Sequence, residues 1–166
     1  MNKSNSNINL IEEGQGLGVL KFGLERNAVE LILGVPDEKE KYSYSKDEED
    51  LTESWHYDNL DLSLGFDEDD DWGLVTIAIT STEYNFKGFS PIGLTKDELK
   101  NKLDTIGISD LEFEDWSSIE SPSHELLSSD SLGINFWFDE NRLSEVQWGP
   151  LFIDDETINW PEINKN

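Results

Sequence analysis

Two hydrophobic rhythms alternate along this chain, and the alternation is run through twice. Phe22-Gly23-Leu24 opens a segment in which Ala28, Val29, Ile32 and Leu33 fall at helical spacing, and Gly34 with Pro36 ends it. Ile92-Gly93-Leu94 opens a second, with Leu99 and Leu103 at the same offsets from its glycine as Val29 and Leu33. Here Thr95 is placed to cap the helix, with Glu98 completing a capping box. Past each helix the period drops to two. Leu60, Leu62, Leu64 and Phe66 alternate with polar residues up to Asp67; after an acidic turn come Leu74, Ile77 and Ile79. In the second half Ile134, Phe136 and Phe138 alternate up to Asp139, followed by Leu143, Val146 and Trp148. Each pair reads as a hairpin of half-buried strands.

The remaining segments are placed by the same criteria. Val19 to Phe22 reads as a short extended approach, and Tyr42 with Tyr44, then Trp55 with Tyr57, as strand alternations. Tyr84 to Phe89 is expected to lead the second unit, and Leu111 to Trp116 alternates like a strand. Ser117 to Ser131, Ser-rich around Pro122, reads as a loop, and Asn141 and Arg142 as the turn of the second hairpin. The predicted fold is α+β: two tandem repeats of a short helix packed on an antiparallel β-sheet. Its divisions are a flexible N-terminus (1–13), a first repeat (14–86), a second repeat (87–150) and a C-terminal tail (151–166). Phe152, Ile153, Ile158 and Trp160 give that tail apolar residues with which to pack.

Charge changes the picture more than composition does. Thirty-seven acidic residues face twelve basic ones, a net charge of −25. Such a surface repels nucleic acid and anionic lipid and attracts basic proteins. Among the 166 residues there is no cysteine, which excludes disulfides and thiolate chemistry. The polar opening Met1 to Asn7 has no apolar signal segment, and no apolar run reaches membrane-spanning length. A cytoplasmic protein, monomeric when free, is the expectation.

No motif for catalysis emerges. Gly14-x-Gly16-x-Gly18 follows two glutamates and precedes an extended segment, so it reads as a turn rather than a phosphate loop. Asp67, Asp69 and Asp71 alternate as in a calcium loop, but Trp72 and Ala78 stand where glycine and glutamate are required. His56 and His124 lie in no metal-binding spacing; His56 reads as a sheet-surface residue. His124 with Ser123 or Ser128 and a carboxylate would need convergent geometry that no local motif supplies. A non-enzyme without metal or cofactor is expected.

The unit carried by Phe22-Gly23-Leu24, Leu33-Gly34-Val35-Pro36, Leu64-Gly65-Phe66-Asp67 and Leu74-Val75-Thr76-Ile77 resembles a known repeat. It is similar to the helix-then-antiparallel-sheet repeat of β-lactamase-inhibitory-protein-like folds and of small outer-membrane-assembly lipoproteins. The second unit departs from it, with Ile106-Gly107-Ile108 in place of the Gly-x-Pro stop. In its acidity, size and lack of cysteine the chain also resembles the immunity proteins of bacterial toxin systems. That resemblance implies a partner: a cognate basic toxin domain of the nuclease type, blocked by occlusion. The expected contacts are the acidic turns and the outward aromatics, namely Asp67, Asp69, Asp70, Asp71 and Trp72, then Trp137, Asp139 and Glu140. The alternatives are a nucleic-acid mimic that titrates a DNA-binding protein, and a structural domain without a tight partner.

Overall fold

The computed structural model describes residues 8–43 and 51–162. The expected fraying of the first seven residues and the segment beginning at Tyr44 lie outside them.

The fold is α+β with antiparallel sheets. Three short strands, β1 (Leu10–Glu12), β2 (Gly16–Leu17) and β3 (Leu20–Lys21), precede helix α1 (Arg26–Leu33). A meander follows: β4 (Glu38–Ser43), β5 (Leu51–Tyr57), β6 (Leu62–Asp67) and β7 (Gly73–Ile79). After β8 (Asn85–Phe86) and helix α2 (Lys96–Thr105) comes a second meander. Its strands are β9 (Leu111–Asp115), β10 (His124–Ser129), β11 (Ile134–Asp139) and β12 (Arg142–Trp148). A hairpin of β13 (Leu151–Phe152) and β14 (Ile158–Asn159) ends the described chain.

The two meanders join edge to edge into one eight-stranded sheet, ordered β4-β5-β6-β7-β12-β11-β10-β9. The join pairs Ile79 with Val146, Ala78 with Gln147 and Ile77 with Trp148. One face of this sheet carries Leu62, Leu64, Phe66, Ile77, Ile79, Phe136, Phe138 and Val146, all buried in a single core with Val29 of α1 and Leu99 and Leu103 of α2. Both helices are therefore short because each needs only one apolar stripe over one half of the sheet. The capping box at α2 forms as expected: Thr95 Oγ1 accepts from Glu98 N–H at 3.2 Å, and Glu98 Oε1 accepts from Thr95 N–H at 2.9 Å.

Corresponding positions in the two halves make the same contacts. Gly23 N–H donates to Leu74 C=O at 2.8 Å while Leu74 N–H donates to Leu24 C=O at 3.0 Å. Gly93 and Leu94 make the same pair of bonds with Leu143, at 2.9 and 2.8 Å. The two glycines have φ of 95° and 96°, a region in which a side chain is strained. The β6–β7 ladder shifts register between Gly65 and Phe66, and the β11–β12 ladder between Trp137 and Phe138. Each hairpin enters its second strand through two positive-φ residues, Asp71-Trp72 and Glu140-Asn141. The first hairpin differs by a 3-10 turn at Glu68–Asp70.

Several sequence expectations change. Ser117 to Ser131 is not all loop: His124–Ser129 forms β10, an interior strand between β9 and β11. Helix α1 starts at Arg26 rather than Leu24, because the bonds to Leu74 hold residues 23 and 24 against β7. Arg142 opens β12, and the turn is Glu140-Asn141. Residues 8–12, assigned to the flexible terminus, bury Ile8 and Ile11 and add β1 to the small sheet. Strand β8, expected to lead the second unit, pairs in parallel with β1, Leu10 with Asn85 and Ile11 with Phe86, completing the small sheet ordered β3-β2-β1-β8. The tail forms its hairpin but leaves Phe152 and Ile153 exposed. No helix among the described residues is long and apolar enough to cross a membrane.

Candidate functional site

Because strand side chains alternate, burying one face of the large sheet dedicates the other to a different residue set. Register fixes that set. On β4 and β5 it is Glu38, Glu40 and Tyr42 with their partners His56, Ser54 and Thr52. Across β6 and β7 it is Ser63 opposite Ala78 and Gly65 opposite Thr76, with Asp67 at the strand end. Beyond the join come Glu145 and Gln147, facing Trp137 and Asn135. On the far side His124, Leu126 and Ser128 face Asp139, Trp137 and Asn135, and Glu114 and Glu112 form the edge. Among the described residues Arg142, the register partner of Asp139, is the one lysine or arginine of this sheet that falls in the set, and its guanidinium donates to the Gly93 carbonyl at 3.2 Å. Lys39 and Lys41, interleaved with Glu38 and Glu40 in sequence, point to the other face, over the rings of Trp55 and Trp72.

Small residues make the floor of the first half concave. Ser63 and Ala78 line two clefts, of about 410 and 260 Å³, that share Glu145 as a wall. The larger is bounded on the opposite side by Glu38, Glu40 and His56, the smaller by Tyr42, Thr52 and Ser54. Burial pushes the Glu145 carboxyl above its ordinary value; the nearby His124 opposes this and Asp139 adds to it.

The second half carries an aromatic cluster. The His124 ring stacks on Trp137, and Trp116 meets Trp137 edge-on with ring centres 5.6 Å apart. Trp137 Nε1–H donates to Gln147 Oε1 at 3.2 Å. His124 Nδ1 lies 2.8 Å from Asp139 Oδ1, and Ser144 Oγ–H donates to Asp139 Oδ2 at 2.8 Å. The Ser144 hydroxyl, with help from His124 and against partial desolvation, holds the Asp139 carboxyl below the usual range. A His–carboxylate pair thus exists, but among the described residues no serine hydroxyl is hydrogen-bonded to Nε2 of His124. The pair fixes the orientation of the His124 ring over Trp137.

The sequence-derived contact residues fall into three places. Asp67 ends β6 on the open face, where its carboxylate accepts from Thr52 Oγ1–H at 2.7 Å. Asp69, Asp70 and Asp71 occupy the turn beyond it; burial raises the Asp70 carboxyl, and the Asp67 and Asp71 charges add to the effect. Trp72 turns away from the open face, with the guanidinium of Arg26 at 4.5 Å and Lys41 at 5.1 Å over its ring. Trp137 lies mid-strand on the open face, half-buried under His124. Asp139 and Glu140 lie at the other hairpin. Since β7 and β12 are antiparallel, the two hairpin turns point to opposite ends of the sheet, about 30 Å apart at ~3.3 Å per strand residue. The structure therefore does not gather the two acidic clusters into one patch.

It does gather residues that the sequence left apart. Glu38, Glu40 and His56 converge, with ligand atoms within 4.8 Å of one another. The signal was available only in part: Glu-x-Glu-x-Tyr marks one face of a strand, but the strand register is what brings His56 opposite. Compared with protein-family models, with curated proteins and with solved structures, the chain matches none of them.

Proposed function

We propose that this is a non-catalytic, acidic protein-binding module, an immunity-type inhibitor that lays the open face of its large sheet over the basic groove of a toxin domain. The observation that carries the reading is segregation of charge. The open-face residues include Glu38, Glu40, Asp67, Glu112, Glu114 and Glu145 against one cation among the described residues, Arg142 at the end of β12, while Lys39 and Lys41 are turned to the opposite side. A broad face mainly of one sign steers an oppositely charged partner and fixes its orientation. Trp116, His124 and Trp137 supply aromatic surface of the kind that anchors such contacts.

We further read the two halves as copies of one helix-plus-meander unit. The matched bonds of Gly23 and Gly93, the matched ladder shifts at Gly65 and Trp137, and the paired positive-φ turns support this. Duplication makes one extended face from two small sheets, with the clefts walled by Glu145 on one side and the aromatic cluster around Trp137 on the other.

The test is co-purification with, and inhibition of, a basic toxin domain encoded beside this gene. With such a domain in hand, Glu38→Lys/Glu40→Lys and Trp137→Ala should each weaken binding at least ~10-fold. Asp69→Asn/Asp70→Asn/Asp71→Asn should change it little. The reverse pattern would move the contact to the turn, and a domain neither bound nor inhibited would remove the reading.

A further inference from the structure

We propose that Glu38, Glu40 and His56 form a binding site for a divalent transition-metal ion of the zinc class. The site stands on strand geometry and is independent of the inhibitor reading. Glu38 and His56 are direct cross-strand partners on β4 and β5, and Glu40 follows two residues along on the same face. One ligand atom from each of the three lies within 4.8 Å of the others, so modest side-chain rotations on the exposed strand bring them to the ~3.3 Å separations of a tetrahedral zinc shell.

The histidine is already oriented. Its Nδ1 is 2.9 Å from Ser63 Oγ on the adjacent strand β6, which leaves Nε2 as the nitrogen open to a ligand. A metal on Nε2 selects the tautomer with its proton on Nδ1, and the serine oxygen stands where it can accept that proton. This is the outer-shell arrangement that metal-bound histidines use.

The charges are uncompensated. Glu38 and Glu40 enter none of the ion pairs of the described residues; the adjacent lysines pair with Glu30 and Glu53 on the other side of the sheet. Asp58, Asp61 and Glu145 line the same cleft, and among the described residues no lysine or arginine does. Two carboxylates and an imidazole suit zinc and its first-row neighbours. Calcium and magnesium, which favour all-oxygen shells, are disfavoured by the nitrogen. With three protein ligands, a four-coordinate ion keeps one position for water or for a donor brought by a partner.

A chain this acidic attracts divalent ions generally, so the experiment must report the site. The full-length chain has only two histidines, so long-range proton–nitrogen spectra of the imidazoles resolve His56 with His124 as an internal control. On titration of the chelator-treated protein with zinc chloride to one equivalent, the His56 Nε2 resonance should move to the metal-bound range while His124 stays. Glu38→Gln/Glu40→Gln should abolish that shift. Glu112→Gln/Glu114→Gln, which removes the same charge at the opposite sheet edge, should leave it intact. Ser63→Ala should weaken zinc on the order of tenfold without removing it. All four glutamates are on the surface of edge strands, so these variants retain the fold. Zinc uptake that leaves the His56 resonance unmoved, or equal loss in both glutamine pairs, would overturn the site in favour of a diffuse ion atmosphere.

Discussion

The imidazole of His124 lies flat on the indole of Trp137, ring centres 5.0 Å apart and planes 8° from parallel. The two residues sit on neighbouring strands as a same-face diagonal pair, two residues out of direct register, since His124 faces Asp139 and Trp137 faces Leu126. Asp139 closes the arrangement by gripping Nδ1, and Ser144 in turn grips Asp139. The open face is thus pre-ordered around its largest aromatic side chain without help from the core.

The grip has a pH signature. The Ser144 and His124 contacts lower the Asp139 carboxyl in the folded protein, so its contribution is present above the unfolded carboxylate value and is lost as pH falls through the lowered folded one. Asp139→Asn should therefore reduce the melting temperature near neutral pH. The gap to the unmodified protein should close in acid, as pH falls beneath the ordinary carboxylate range and through the lowered folded value. A thermal-unfolding series against pH reads this directly, and a gap that persists in acid would assign the loss to packing.

Glu145 carries the opposite sign. Burial raises its carboxyl in the folded state, so its contribution favours folding below the unfolded value and is lost as pH rises through the folded one. Glu145→Gln removes a charge that folding must desolvate. It should raise the melting temperature near neutral pH and do nothing below about pH 4. The same series checks it.

Gly93→Ala and Gly23→Ala should each destabilise by on the order of 1–2 kcal/mol, since a side chain resists the positive φ at both positions. At Gly93 an added Cβ meets nothing within 4 Å, so the loss there is of backbone origin. Denaturant titration of both variants tests whether the matched bonds to Leu74 and Leu143 have matched energies.

Thr95→Ala removes one arm of the capping box at α2 and should destabilise by about 1 kcal/mol. Helix α1, whose N-cap residue Glu25 makes no side-chain capping bond, offers the control. Glu25→Ala should change stability by much less in the same denaturant assay.

What could be read in the sequence was whatever local chemistry determines. The capping box, the Gly34 stop of α1 and the alternations of β6 and β11 depend on neighbours a few residues apart, and each appears where expected. Strand β10 was hidden because Leu126 and Leu127 are both buried and so break the alternation. Leu127 faces Phe136 toward the core, while Leu126 faces Trp137 on the other side. The joining of the two meanders through β7 and β12 leaves no local trace, and it decides that the acidic turns diverge. The Glu38–His56 pairing is likewise a fact of register across eighteen residues of chain.

The join also has a consequence in time. Within each half, consecutive strands meet across short connections, but Ile77 must find Trp148, and Trp148 Nε1–H must reach the Gly16 carbonyl near the other end of the chain. Both closures span long stretches of chain, so their entropic cost favours their forming after the local hairpins. Refolding should then be paced by that late, long-range closure, in roughly the millisecond-to-second range of domains dominated by distant strand pairing.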